Sequence, residues 1–160
     1  MNENLPASAR ELTDDDWALL ALAEHTIESN TDAGPGQDGR HTMAAALVAG
    51  DGSRHSAVNL YHFTGGPCAE LVVLAAARAA GARDPQVIVA VGNHGRGVKS
   101  PCGRCRQVLA DAYPTIRVIV PTSSGPRSVA AEDLLPLAFD HAAEQISAAA
   151  PHSADPQALS

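Results

Sequence analysis

Aromatic side chains are scarce in this 160-residue chain: Trp17, Tyr61, Phe63, Tyr113 and Phe139 are the only five. Proteins that hold single-stranded nucleic acid stack bases on such rings inside a basic groove. Basic charge is short as well, since 11 Lys and Arg against 18 Asp and Glu leave a formal net charge of −7. Nucleic-acid binding is therefore not expected. No run of about 18 consecutive apolar residues occurs, so neither a membrane span nor membrane binding is expected. The opening Met1-Asn2-Glu3-Asn4 carries no basic segment followed by an apolar one. No signal peptide is read, and a cytoplasmic location is expected. Cysteine occurs three times, as Cys68, Cys102 and Cys105. An odd set with two members close together, in a chain without an export signal, favours metal binding or catalysis over disulfides.

What is abundant is small and apolar. Apolar residues make up 45% of the chain, much of it alanine, which suits one globular domain with a tightly packed core. Residues 1–12 read as a flexible tail, 13–140 as the folded domain, and 141–160 as a C-terminal helix and flexible tail. Thr13 followed by Asp14-Asp15-Asp16 forms an N-cap with an acidic first turn, and helical spacing of Trp17, Leu20, Ala23 and Ile27 predicts a helix over 13–29. Asp51-Gly52 between apolar segments predicts a hairpin of strands 42–49 and 54–61. A helix over 68–80, a buried strand over 86–91, a glycine-rich loop and a second helix over 102–113 follow. A strand over 116–120, a turn over 123–126, a short helix over 129–135 and a helix over 140–149 complete the reading. Alternating strands and helices after a hairpin imply an α/β fold, a mixed sheet sandwiched by helices.

The cysteines gather at helix starts. Cys68 follows Pro67 and Cys102 follows Pro101, with Cys105 one helical turn further on. Free N–H groups at a helix start favour thiolate over thiol, and an i, i+3 pair shares one face. Three thiolates leave the fourth position of a zinc ion open, as catalytic rather than structural sites do. Glu70, two residues after Cys68, is placed to act on water there as a proton shuttle. Two other readings of these residues stand beside this one. Cys102 and Cys105 alone could be a redox pair, and His62 or His94 could close a non-catalytic, structural zinc module.

The paired half-motifs, Pro67-Cys68-Ala69-Glu70 and Pro101-Cys102-Gly103-Arg104-Cys105, are those of zinc deaminases. With the longer stretches 59–74 and 95–109, they make the sequence resemble the cytidine deaminase family, and within it the blasticidin-S branch. The resemblance runs over roughly 42–138. It implies a three-layer α/β/α sandwich, a homotetramer, and one zinc ion per subunit held by Cys68, Cys102 and Cys105, with Glu70 as the catalytic group. The implied reaction is hydrolytic: a cytosine ring becomes uracil and ammonia leaves.

Substrate choice rests on departures from the family pattern. Ordinary members carry Asn-x-Glu before the first zinc ligand to bind ribose hydroxyls; here the positions read Asn59-Leu60-Tyr61. On a strand, Asn59 and Tyr61 share a face, and a ribose hydroxyl loses a strong acceptor. Leu71 stands where relatives have an arginine that offsets the thiolate charge; Arg104 is the candidate replacement, or else an exposed helix arginine. Arg96, in the loop Gly92-Asn93-His94-Gly95-Arg96-Gly97, is expected to take a carboxylate on the sugar of a blasticidin S-like antibiotic, or to be a solvated loop charge. Thr42 is expected at the substrate mouth, and Phe63 lines the base pocket or belongs to the core. The C-terminal aromatic that closes the site in relatives is replaced by Phe139-Asp140-His141. The expected partner is thus a small cytosine nucleoside or peptidyl nucleoside, with cytidine or deoxycytidine salvage as the alternative.

Overall fold

The computed structural model describes residues 5–140 and 143 of the chain. Its elements, in order, are α1 (Asp14–Asn30), β1 (Met43–Ala49), β2 (Arg54–Val58), α2 (Ala69–Ala79), β3 (Pro85–Gly92), β4 (Gly97–Val98), α3 (Gly103–Ala112), β5 (Arg117–Val120), β6 (Arg127–Ala130) and a 3-10 turn at Ala131–Leu134. The sheet runs β2-β1-β3-β5-β6, with the short β4 added on β3. Only β3 and β5 pair in parallel; β1–β2, β1–β3 and β5–β6 are antiparallel, which makes the sheet mixed.

Strand alternation sorts the core into two layers of contact. Ala44 and Ala46 of β1, Val89 and Val91 of β3 and Ile119 of β5 meet Leu19, Leu20, Ala23 and Ile27 of α1. Their neighbours Ala45, Leu47, Ile88, Ala90, Val118 and Val120 meet Val73, Leu74 and Ala77 of α2 and Leu109 of α3. Residues i and i+2 face one way and i+1 the other, so a strand buried on both faces is apolar throughout. The result is the α/β/α sandwich expected from the sequence.

Helix α1 starts where the sequence says it should. Thr13 Oγ1 accepts the Asp16 N–H at 3.2 Å, and the Asp16 carboxylate accepts the Thr13 N–H at 3.0 Å, a reciprocal cap. Arg10 pairs with that buried carboxylate at 3.2 Å.

Three readings differ from the structure. Residues 127–135 are a strand and then a 3-10 turn, not a helix from 129. The four residues Arg127-Ser128-Val129-Ala130 are too few to display a period, and it is the antiparallel pairing with β5 that makes them a strand. The second hairpin strand ends at Val58, because the chain then bonds in two directions: the Asn59 and Tyr61 N–H groups go to Met43 and Arg40, while the Leu60 N–H goes to Pro67. Within the stretch read as a tail, Arg10 bridges Ser128 of β6, and Ser8 Oγ accepts the Ala130 N–H. The helix expected over 140–149 lies almost wholly outside the described residues. Among those described, no helix is long and apolar enough to cross a membrane.

Topology decides where chemistry can gather. Since β2 and β3 both run antiparallel to β1, their C-terminal ends share one end of the sheet. The next helices, α2 and α3, therefore both begin there, as in other α/β folds where sites lie beyond strand ends.

Candidate metal and catalytic site

Each of these two helices begins on a cysteine: Cys68 is the N-cap of α2 and Cys102 that of α3. Pro67 and Pro101 keep the residues before them extended, which fixes where each helix starts. The approach to Cys68 depends on Gly66, where a Cβ would lie 1.8 Å from the Leu60 carbonyl oxygen. Only glycine lets the loop fold back this closely.

The three sulfurs converge. Cys68 Sγ lies 3.7 Å from Cys102 Sγ, which lies 3.6 Å from Cys105 Sγ. All three are within 4.8 Å of one another and could hold a metal ion; among the described residues no His, Asp or Glu joins the group. His62 and His94 are engaged elsewhere, the first with Thr64 Oγ1 at 2.6 Å and the second with the Ala33 carbonyl at 2.7 Å. Cys105 is fully buried, whereas Cys102 is exposed.

Glu70 sits in the first turn of α2 and is 7% exposed. Burial raises its carboxyl above the usual carboxylate range, against the opposing pull of Cys105 and Arg104. Burial raises the Cys68 thiol, and burial with the nearby Glu70 charge raises Cys105. Burial opposes ionisation of Cys102 too, but the backbone N–H of Cys105 and the neighbouring thiols outweigh it, and its pKa is lowered. Arg104 reaches back from α3, with Nη2 3.0 Å from the Gly66 carbonyl and 3.7 Å from Cys68 Sγ. It is therefore a cation in contact with the sulfur cluster.

A cleft of about 200 Å³ opens beside the sulfurs, lined by Met43, Asn59, Tyr61, Glu70 and Ser100 together with Cys68 and Cys102. Asn59 and Tyr61 thus join the cleft, as their spacing suggested. Phe63 does not: it is 85% exposed, with its ring centroid 4.5 Å from that of His62. Thr42 and Arg96 line a separate hollow of about 510 Å³ with Asn93 and His94. Sequence reasoning missed Met43 and Ser100. Ser100 stands two residues before Cys102, inside the stretch 95–109 that carries the family resemblance.

No family model matches the chain. A blasticidin-S deaminase of Bacillus cereus is 30% identical over 112 residues, 64% of this chain and 80% of that protein. A cytidine deaminase of Halalkalibacterium halodurans is 36% identical over 104 residues, 62% of this chain and 78% of that protein. The crystal structure of a cytidine deaminase from Burkholderia pseudomallei superposes with a TM-score of 0.61 at 32% identity, covering 80% of this chain and 100% of that one. With two helices delivering three thiols and a carboxyl to one end of the sheet, the chain belongs to the cytidine deaminase family and is an enzyme of the deaminase type.

Proposed function

We propose that the enzyme is a zinc-dependent aminohydrolase that converts the cytosine ring of a nucleoside to uracil. The observation that carries this reading is the gathering of three thiols with a buried carboxyl that is not itself part of the metal-binding group. Bonds of about 2.3 Å to a tetrahedral zinc ion put sulfurs about 3.8 Å apart. The observed separations of 3.7 and 3.6 Å suit that ion, as does a donor set made only of soft sulfur. Cys68, Cys102 and Cys105 would hold one zinc per subunit, which supplies the Lewis acidity that makes water nucleophilic near neutral pH.

The protein's own part is proton handling and placement. Glu70 takes a proton from the attacking water and delivers it to N3 of the ring as C4 gains oxygen. A second transfer through Glu70 reaches the amino group, which leaves as ammonia, so water and cytosine balance uracil and ammonia. A carboxyl whose pKa is lifted by burial is suited to both halves of that task. Arg104 offsets the excess negative charge of three thiolates. Asn59 and Tyr61 face the sugar from the cleft.

Within this class, a nucleoside antibiotic of the blasticidin S type is the favoured substrate, which would make the enzyme an antibiotic-resistance factor. Tyr61, in place of a carboxylate, weakens any claim on a ribose hydroxyl. Thr42 and Arg96 in the second hollow suit a carboxylated sugar, through the Arg96 Nη1 that no acceptor among the described residues takes. Cytidine is the second reading, favoured by the Asn59 amide that reaches the cleft. Leu60, Tyr61 and Phe63 leave an exposed apolar rim, which suits burial between copies in a homotetramer; a cytoplasmic location belongs to the same reading. Ultraviolet assays on blasticidin S, cytidine and deoxycytidine, with zinc analysis and sedimentation of the same sample, test the whole reading. One zinc per chain, cytosine-to-uracil conversion fastest on blasticidin S, and a species of four 16.4 kDa copies are expected. A zinc-loaded protein inert on all three substrates would remove the catalytic reading.

A further inference from the structure

Arg96 is built into the fold in a way that its loop position does not suggest. Its side chain turns back over the end of β3: Nε lies 2.9 Å from Asn93 Oδ1 and 3.2 Å from the Asn93 carbonyl, while Nη2 donates to the Thr42 carbonyl at 2.7 Å. Gly92 makes room, since a Cβ there would come within 3.0–3.1 Å of Arg96 Cβ, Cζ and Nε. Asn93 is itself 3% exposed, and its Nδ2 donates to Thr31 Oγ1 at 2.8 Å. The anchor of Arg96 is therefore a buried, satisfied amide.

The other end of this chain of bonds is Asn59. The Thr42 carbonyl takes the Asn93 N–H at 3.0 Å as well as Arg96, which fixes the orientation of the Thr42–Met43 peptide. The N–H groups of Thr42 and Met43 both donate to Asn59 Oδ1, each at 2.9 Å. With both lone pairs of that oxygen engaged, the side-chain amide cannot flip without losing two hydrogen bonds, and its NH2 is the end available to the cleft. The Asn59 backbone is held independently, by the Met43 carbonyl and by His41 Nδ1 at 2.6 Å.

We propose that Arg96 is a positioning residue which, through the Thr42 carbonyl, fixes Asn59 as a hydrogen-bond donor to the sugar of the substrate. This rests on the reading of the cleft as a cytosine nucleoside site. Arg96 acts from outside that cleft, so its loss displaces a binding group without touching the reacting atoms. The signature is in KM rather than kcat.

The test uses cytidine, which carries no carboxylate for an arginine to bind directly. Arg96→Ala and Asn59→Ala are each expected to raise its KM about tenfold, about 1.4 kcal/mol, with kcat within about threefold of wild type. The double variant is expected to be no worse than Asn59→Ala alone, because the two residues act in series. Gly92→Ala, which crowds Arg96 without altering it, shifts KM the same way by less, and Arg96→Lys restores part of the loss. Backbone amide exchange at Thr42 and Met43 gives a second readout that needs no turnover: both amides lose protection in Arg96→Ala. Additive KM effects, or unchanged protection of those amides, overturn the proposal. A wild-type protein inactive on every cytosine nucleoside would fail the deaminase reading instead, and amide exchange would still decide the role of Arg96.

Discussion

A carboxyl buried beside three thiols, yet outside the group that can share a metal, is the group to which the proposed reaction gives the proton transfers. Glu70→Gln keeps the shape and removes the titration. Turnover is expected to fall about 10²–10⁴-fold with zinc content unchanged; a variant that keeps wild-type kcat would show that the proton travels another way. The residues legible from sequence at this scale were those whose partners are close along the chain. Cys102 and Cys105 lie one helical turn apart, and Glu70 lies in the first turn behind Cys68. The less legible residues depend on loops meeting across the fold. Arg96 reaches Thr42 across 54 positions, which has no local signature.

At the scale of elements, helices and buried strands declared themselves through caps and apolar runs. The reciprocal cap at Thr13 and the alanine-rich β1 are the clearest cases. What failed was short, as with β6, whose four residues are a strand only because β5 lies alongside. The loop between β2 and α2 shows how much an element's start can rest on one residue. A methyl group on Gly66 cannot coexist with the Leu60 carbonyl at 1.8 Å, so Gly66→Ala must open the loop that delivers Cys68. A loss of about 2–3 kcal/mol in urea unfolding, together with weaker zinc retention, is expected. Wild-type stability and zinc affinity in that variant would mean that the loop has slack.

Across the whole molecule, a metal at the cysteines would clamp together the starts of α2 and α3, which lie 34 residues apart in sequence. A ligand that binds only the folded state stabilises it in proportion to the logarithm of its free concentration. Zinc at one hundred times its Kd is worth about 2.7 kcal/mol, so a chelator is expected to lower Tm by about 5–10 °C. An unchanged calorimetric trace, with zinc shown to have left, would mean that the clamp is not mechanical. The α/β class and the sandwich layering were readable from the order of elements. The grouping of both helix starts at one sheet end follows only from the antiparallel pairing of β1 with both its neighbours.

The two flanks of the sheet are unequal. Along β6, Arg10 bridges Ser128, Ser8 accepts from Ala130, and Arg117 donates to the Ser8 carbonyl, so the leading segment of the chain occupies that border. Along the far side of β2, no strand lies among the described residues. Among the described residues, lateral growth of the sheet by a foreign strand, whether from a sister molecule or in a misassembled aggregate, is therefore favoured next to the hairpin rather than next to the segment that borders β6.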